Sequence, residues 1–296
     1  MSDGCGRQLP SLYLRRDIVW EFLLTAPRFD SAAVAAALGA RGVTFLGAGT
    51  FGDTWRVDDR AVKIICAEGY LPQRVAREVA GLSRVRSPYV VQLIDTKTVS
   101  LGGKDFPALV FEYVSGGDLQ QAIDNSRIPE PDQASALLVG LLTGVRDLHR
   151  ADGTVHRDVK PANVALRDGA WNQPVLLDLG LARANTETTV TIYPGLLGTT
   201  AFMAPEQLAG RRARKAADLF AVGVSVRAAL VGRHPFYEPG SSYTIDEAIA
   251  KISAGPVALP PNTPELVRDV LDRLVQPAEY ERGSATSNLR RLGIAE

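Results

Sequence analysis

The chain has 296 residues, 46% of them hydrophobic and 22% charged, the proportions of an ordinary globular protein of about two compact units. Lys plus Arg and Asp plus Glu each number 33, so the formal net charge is zero and the basic excess of a protein built around nucleic-acid backbones is missing. Two cysteines cannot staple a secreted framework, and no apolar run reaches the about 18 residues of a membrane helix, so a cytoplasmic protein with neither a nucleic-acid nor a membrane partner is expected.

Residues 12–24 are apolar at mixed spacing and suit one helix. Asp30 and Ser31 then read as an N-cap before the run Ala32–Leu38, with Gly39 as its stop. Residues 1–40 are therefore set apart as an N-terminal helical appendage with room for a regulatory partner. From Val43 the texture becomes β-rich: 43–46, 54–57 and 61–65 are short strands separated by glycines and by Asp58-Asp59. Pro72 to Val85 reads as a helix with Val75, Val79 and Leu82 on one face. Strands are expected again at Val90–Ile94 and Ala108–Tyr113, before Ser115-Gly116-Gly117 breaks the pattern.

Beyond Gly117 the chain is mainly helical. Pro131 suits a first helical turn, and Leu137, Leu138, Leu141, Leu142, Val145 and Leu148 give a broad apolar stripe. Further helices are expected near 216–231, 244–253 and 264–275, with breaks at 194–198, 232–240 and 255–264. The fold class is α+β, with a β-rich part over 41–114 and a helical part over 115–296.

Gly47-Ala48-Gly49-Thr50-Phe51-Gly52 fits G-x-G-x-x-G, a weak signal alone. A dinucleotide-binding turn would run on into a helix, but Thr54–Val57 reads as a strand, which leaves a hairpin laid over phosphates or a plain glycine-rich turn. Lys63 shares a strand face with Ala61 and Ile65. It either faces solvent or points inward, where it needs an anion or a carboxylate such as Glu78. The densest block is His156-Arg157-Asp158-Val159-Lys160-Pro161-Ala162-Asn163, followed by Asp178-Leu179-Gly180 after the apolar run Val175–Leu177. Two carboxylates, an amide oxygen and a lysine suit phosphate chemistry: hard oxygens hold Mg²⁺, a lysine neutralises phosphate, and a carboxylate takes a hydroxyl proton.

This ordered set, continued by Ala204-Pro205-Glu206, Asp218 and Arg282, resembles the eukaryotic-type (Hanks-type) serine/threonine protein kinases over about residues 43–292. The Ala-, Arg- and Val-rich usage suits a bacterial member. The resemblance implies a two-lobed protein kinase fold, with 41–114 as the N-lobe and 115–296 as the C-lobe. It implies transfer of the γ-phosphate of ATP, with Mg²⁺ (or Mn²⁺), to Ser or Thr hydroxyls of a protein substrate.

The residue roles follow from the same resemblance. The loop from Gly47 to Gly52 covers the phosphates, Lys63 holds them, and Glu78 orients Lys63. Asp158 accepts the hydroxyl proton, Lys160 steadies the γ-phosphate, and Asn163 and Asp178 ligate the metal. Thr54, Ala61 and Ala165 border the adenine, Glu112 to Val114 form the hinge that offers it backbone hydrogen bonds, and Asp118 meets the ribose. Thr54 and Ala165 stand where the family has larger apolar residues, implying a roomier adenine site and weaker nucleotide affinity.

Glu206 and Arg282 are expected to pair, and Asp218 to hold the catalytic-loop backbone. Arg157 implies phosphorylation control of the segment Asp178–Glu206, with Thr189 and Thr191 as candidates and Thr199 structural. The basic run Arg211–Lys215 is a solvated surface or a docking patch for acidic substrate. A nucleotide-binding pseudokinase or scaffold is the alternative, and catalysis is the feature that separates the two.

Overall fold

The computed structural model describes residues 26–49, 52–66, 79, 83–151, 154–178 and 200–295. The expected helix at 12–24, all of the Pro72–Val85 helix but Val79 and 83–85, the break at 194–198 and the segment 179–199 with its candidate threonines lie outside these.

The chain enters the described part through α1 (Ser31–Leu38). Asp30 caps it as expected, its carboxylate accepting from the amides of Ala32 (2.9 Å) and Ala33 (3.3 Å). Gly39 ends it in the left-handed conformation (φ 65°). Five strands follow: β1 (Thr44–Gly49), β2 (Gly52–Val57), β3 (Arg60–Ile65), β4 (Leu93–Leu101) and β5 (Lys104–Glu112). They form one antiparallel sheet in the order β1-β2-β3-β5-β4.

Period-two alternation gives the sheet two buried faces. On one, Trp55, Val62, Ile64, Ala108 and Val110 pack with Val34 of α1. On the other, Ile65, Leu109 and Phe111 join the large core shared with the helical half. The glycine-rich sequence is a hairpin, β1 ending at Gly49 and β2 opening at Gly52. Gly52 is required by close approach: a Cβ there would lie 1.8 Å from the Ile64 carbonyl oxygen of β3.

The strand expected at Val90–Ile94 is corrected. Residues 89–91 bond to the other half of the molecule, with the Val91 amide donating to the Leu176 carbonyl (3.0 Å) and the Leu176 amide to the Tyr89 carbonyl (2.9 Å). The sheet strand begins at Leu93 and runs on to Leu101. Its residues 94–98 are all exposed, because β4 is an edge strand with no apolar alternation to betray it.

The second half opens with α2 (Leu119–Asp124) and α3 (Pro131–Arg150), then the short hairpin β6 (Val164–Leu166) and β7 (Pro174–Leu176). After residue 200 come α4 (Pro205–Leu208), α5 (Lys215–Val231), α6 (Ile245–Ala254), α7 (Glu265–Leu274) and α8 (Ala285–Arg291). The stripe on α3 is wholly buried, and α5, buried from Ala217 to Leu230, is the central helix around which the others pack. Among the described residues no helix is long and apolar enough to cross a membrane.

Candidate active site

One buried carboxylate organises the loop before β6. Asp218, in the first turn of α5 and 1% exposed, accepts from the His156 amide, the Arg157 amide and His149 Nε2, each at 2.8 Å. Three donors on one carboxylate hold Arg157 in a left-handed conformation (φ 67°) that a non-glycine residue rarely adopts. His149 is thus a polar partner of Asp218, and its carbonyl also receives Lys215 Nζ at 2.8 Å. The His156 ring is spent on the backbone. Nε2 donates to the Leu177 carbonyl (2.9 Å), which leaves Nδ1 to accept from the Asp158 amide (3.3 Å).

That frame presents Asp158. Its carboxylate receives Lys160 Nζ and Asn163 Nδ2, both at 3.0 Å, and Asn163 Nδ2 also reaches the Asp158 carbonyl at 2.8 Å. With its amide nitrogen so engaged, Asn163 turns its oxygen away from Asp158. Asn163 ends the 3₁₀ turn Pro161–Asn163, and its carbonyl accepts from the Leu177 amide (2.8 Å), placing Asp178 alongside. Asp178 is left-handed too (φ 50°).

Across the junction between the halves, Lys63 Nζ meets Asp178 Oδ1 at 2.5 Å. Lys63 is buried, so the inward alternative is the correct one; its partner is Asp178, while Glu78 lies outside the described residues. Burial works to raise the Asp178 carboxyl, but the Lys63 ammonium, with His156 and Lys160 behind it, holds the carboxyl below the usual carboxylate range.

Thr54 stands opposite Lys63 on β2. Ala61 and Val114 pack from the sheet side and hinge onto the same core that contains Ala165, so apolar surface from both halves borders one cleft. Gly47, Ala48, Gly49 and Gly52 form the hairpin arms, with Thr50 and Phe51 outside the described residues. Asp118 caps α2, accepting from the Gln121 amide (2.8 Å), and burial pushes its carboxyl up. The Glu112 carboxylate bridges the halves, accepting from the Gln92 amide (3.1 Å) and Arg167 Nη2 (2.9 Å).

Residues 42–291 match the family model described as the protein kinase domain. The chain belongs to the protein kinase family. A probable serine/threonine-protein kinase of Streptomyces coelicolor is 31% identical over 216 residues, 72% of this chain and 32% of that protein. The probable serine/threonine-protein kinase PkwA of Thermomonospora curvata is 33% identical over 237 residues, 77% of this chain and 30% of its own length. The serine/threonine-protein kinase PkaA of Streptomyces coelicolor is 28% identical over 271 residues, 84% and 48% of the two chains. The kinase chain thus spans about a third to a half of the length of these relatives.

Further features of the kinase fold frame the cleft. Glu206 and Arg282 form the expected pair, with both side chains 0% exposed. In the basic run, Arg211 pairs with Glu279 (2.9 Å).

His234 follows α5 and ties the segment after residue 200 to the loop before α6. Its Nε2 donates to the Ala201 carbonyl (3.1 Å), and its Nδ1 accepts from the Phe236 and Tyr237 amides, both at 3.2 Å. Burial drives its pKa from 6.5 down to about 4. The unfolded chain therefore binds a proton that the folded chain refuses, and stability is complete above pH 6.5 and drains away as the pH falls toward about 4. The loss reaches about 3 kcal/mol at most. Urea unfolding across that window shows the slope in the natural chain, and His234→Gln flattens it; equal slopes would remove His234 as its cause.

Proposed function

We propose that this domain transfers the γ-phosphate of ATP to serine or threonine hydroxyls of proteins. The observation that carries the reading is the Asp158 carboxylate held by Lys160 and Asn163 beside the Lys63–Asp178 pair. One end of the constellation can take a proton from an attacking hydroxyl, and the other can hold polyphosphate.

The donor chemistry fits Mg²⁺. Asp178 and Asn163 offer hard oxygens, and among the described residues no cluster of three or more His, Cys, Asp or Glu could hold a metal by itself. That matches an ion that keeps waters and phosphate oxygens among its ligands. When bound, Mg²⁺ offsets the charge on the phosphates. The Lys63 ammonium holds the phosphate chain. Asp158 orients the acceptor hydroxyl and takes its proton as the oxygen attacks, while Lys160 faces the charge on the transferring group. Ala61, Val114 and Ala165 give the adenine an apolar seat, and the empty space at the Cβ position of Gly47 lets the hairpin backbone approach phosphate. A free Cys66 thiol and ATP as co-substrate support a cytoplasmic site of action.

The test is incubation of the purified protein with Mg·ATP and a panel of Ser/Thr peptides, read by mass spectrometry. Phosphate on peptide or on the protein's own hydroxyls is expected. Transfer to neither, with nucleotide still bound, would replace this reading with that of a nucleotide-binding scaffold.

A further inference from the structure

The first arm of the glycine hairpin is held by its backbone pairing with β2 rather than by side-chain packing. Gly47 has nothing within 4 Å of its Cβ position, and Gly49 only the Gly52 carbonyl oxygen at 3.9 Å.

Behind it, on the face that α1 covers, lies Asp53, 0% exposed and alternating with Trp55 along β2. Its carboxylate accepts from the Arg28 amide (2.5 Å) and forms an ion pair with Arg28 Nη1. Arg28 Nη2 crosses to the other arm and donates to the Gly49 carbonyl at 2.7 Å. One side chain therefore grips both arms next to the turn, where Gly49 faces Gly52. Arg28 is itself anchored by the residues that follow it: Phe29 packs on Phe106 with ring centroids 5.3 Å apart, and Val34 is buried against the sheet. Among the described residues, Asp53 forms its ion pair with a residue that lies ahead of the stretch matching the kinase family, 42–291.

We propose that Arg28 is a positioning residue for nucleotide binding: by clamping Asp53 and the Gly49 carbonyl from behind the sheet, the N-terminal segment sets the pose of the phosphate-covering hairpin. This rests on reading Gly47–Gly52 as the phosphate loop. The coupling acts through shape, since the guanidinium is neutralised by Asp53 on the face turned away from the cleft. Anything that moves residues 26–38 would then change the grip on the phosphates.

The experiment measures the dissociation constant of the full chain for Mg·ADP by calorimetry, with the KM for Mg·ATP beside it. Arg28→Met and Asp53→Asn are each expected to weaken binding about five- to tenfold, and the double variant no more than the worse single one. Arg60→Met, which removes an exposed ion pair at the far end of the β2–β3 hairpin, changes it less than about twofold. KM for Mg·ATP rises more than kcat falls.

A through-space effect of charge on the phosphates predicts the opposite sign for one arm. Asp53→Asn removes a negative charge and would then tighten binding. Tightening there, or no change in either variant, overturns the clamp. Where Arg28→Met fails to fold by circular dichroism, Arg28→Lys keeps the charge and loses the second arm, and an intermediate dissociation constant is expected; a natural value overturns the proposal. Failure of the natural chain to bind Mg·ADP at all overturns the phosphate-loop reading itself, a result distinct from either.

Discussion

Asp158→Asn is expected to lower kcat for peptide phosphorylation by about 100-fold or more, the scale of a lost general base. The domain should stay folded and the dissociation constant for Mg·ADP should move less than about threefold, because Lys63 and Asp178 are untouched and Asn163 keeps its bond to the Asp158 carbonyl. The geometry makes the substitution clean. Asp158 hangs from a backbone held by Asp218 through the His156 and Arg157 amides, so its position does not depend on its charge. Lys160 Nζ and Asn163 Nδ2 both donate to Asp158 Oδ2, so an asparagine oxygen in that place still accepts from both, and the new amide nitrogen takes the place of Oδ1. The side chain is 22% exposed, so water can meet the new amide nitrogen and the stability cost stays near about 1 kcal/mol. Steady-state kinetics, calorimetric nucleotide binding and urea unfolding on the same preparation check all three. A fall in kcat of less than about tenfold would show that the hydroxyl proton leaves by another route.

The residues of this candidate site were legible because their chemistry is unusual where they stand. A lysine inside the apolar strand Ala61–Ile65 and a dense run of charged and amide groups from His156 to Asn163 have few structural excuses, and the fold gathers Lys63, Asp158, Lys160, Asn163 and Asp178 around one cleft. Helix ends were legible for a local reason as well: Asp30, Gly39 and Gly232 act on their own neighbours. What stayed hidden is non-local. The edge strand β4 pairs only with β5, so residues 94–98 carry no buried period. Nothing in the Ala-rich helix α1 marks which face docks, because only Val34 is buried. Arg28 and Asp53 stand 25 residues apart with no periodic relation, and each alone is an ordinary charged residue. The partner of Lys63 is also set by how the halves meet, which no spacing within one half encodes.

The second large effect belongs to Arg282. Its Nε donates to the Gln276 carbonyl (2.7 Å), Nη1 to Glu206 Oε1 (2.7 Å) and the Ala216 carbonyl (3.1 Å), and Nη2 to Glu206 Oε2 (2.9 Å) and the Pro277 carbonyl (2.8 Å). All five guanidinium N–H groups are therefore used, and the plane lies 4.9 Å from the Phe220 ring centroid. Arg282→Met leaves the Glu206 carboxylate buried without its cation and strips donors from three carbonyls. A loss of about 3–5 kcal/mol is expected, a large part of a domain's usual margin of about 5–15 kcal/mol. Arg282→Lys recovers little, because a lysine cannot present a planar fork to two carboxylate oxygens and three carbonyls. The double replacement Glu206→Leu with Arg282→Met should cost less than the sum of the single ones, since an apolar pair removes the orphaned charge. Urea unfolding of the four proteins gives the cycle. Additive losses, or a loss below about 1 kcal/mol for Arg282→Met, would mean that Glu206 finds other partners. The consequence reaches the cleft, because Glu206 sits in the first turn of α4, which Ala204 caps, and Phe202 just before it packs against His234. Releasing α4 loosens that wall beside Asp158, so Arg282→Met should also raise the KM for the phosphoacceptor more than the KM for Mg·ATP.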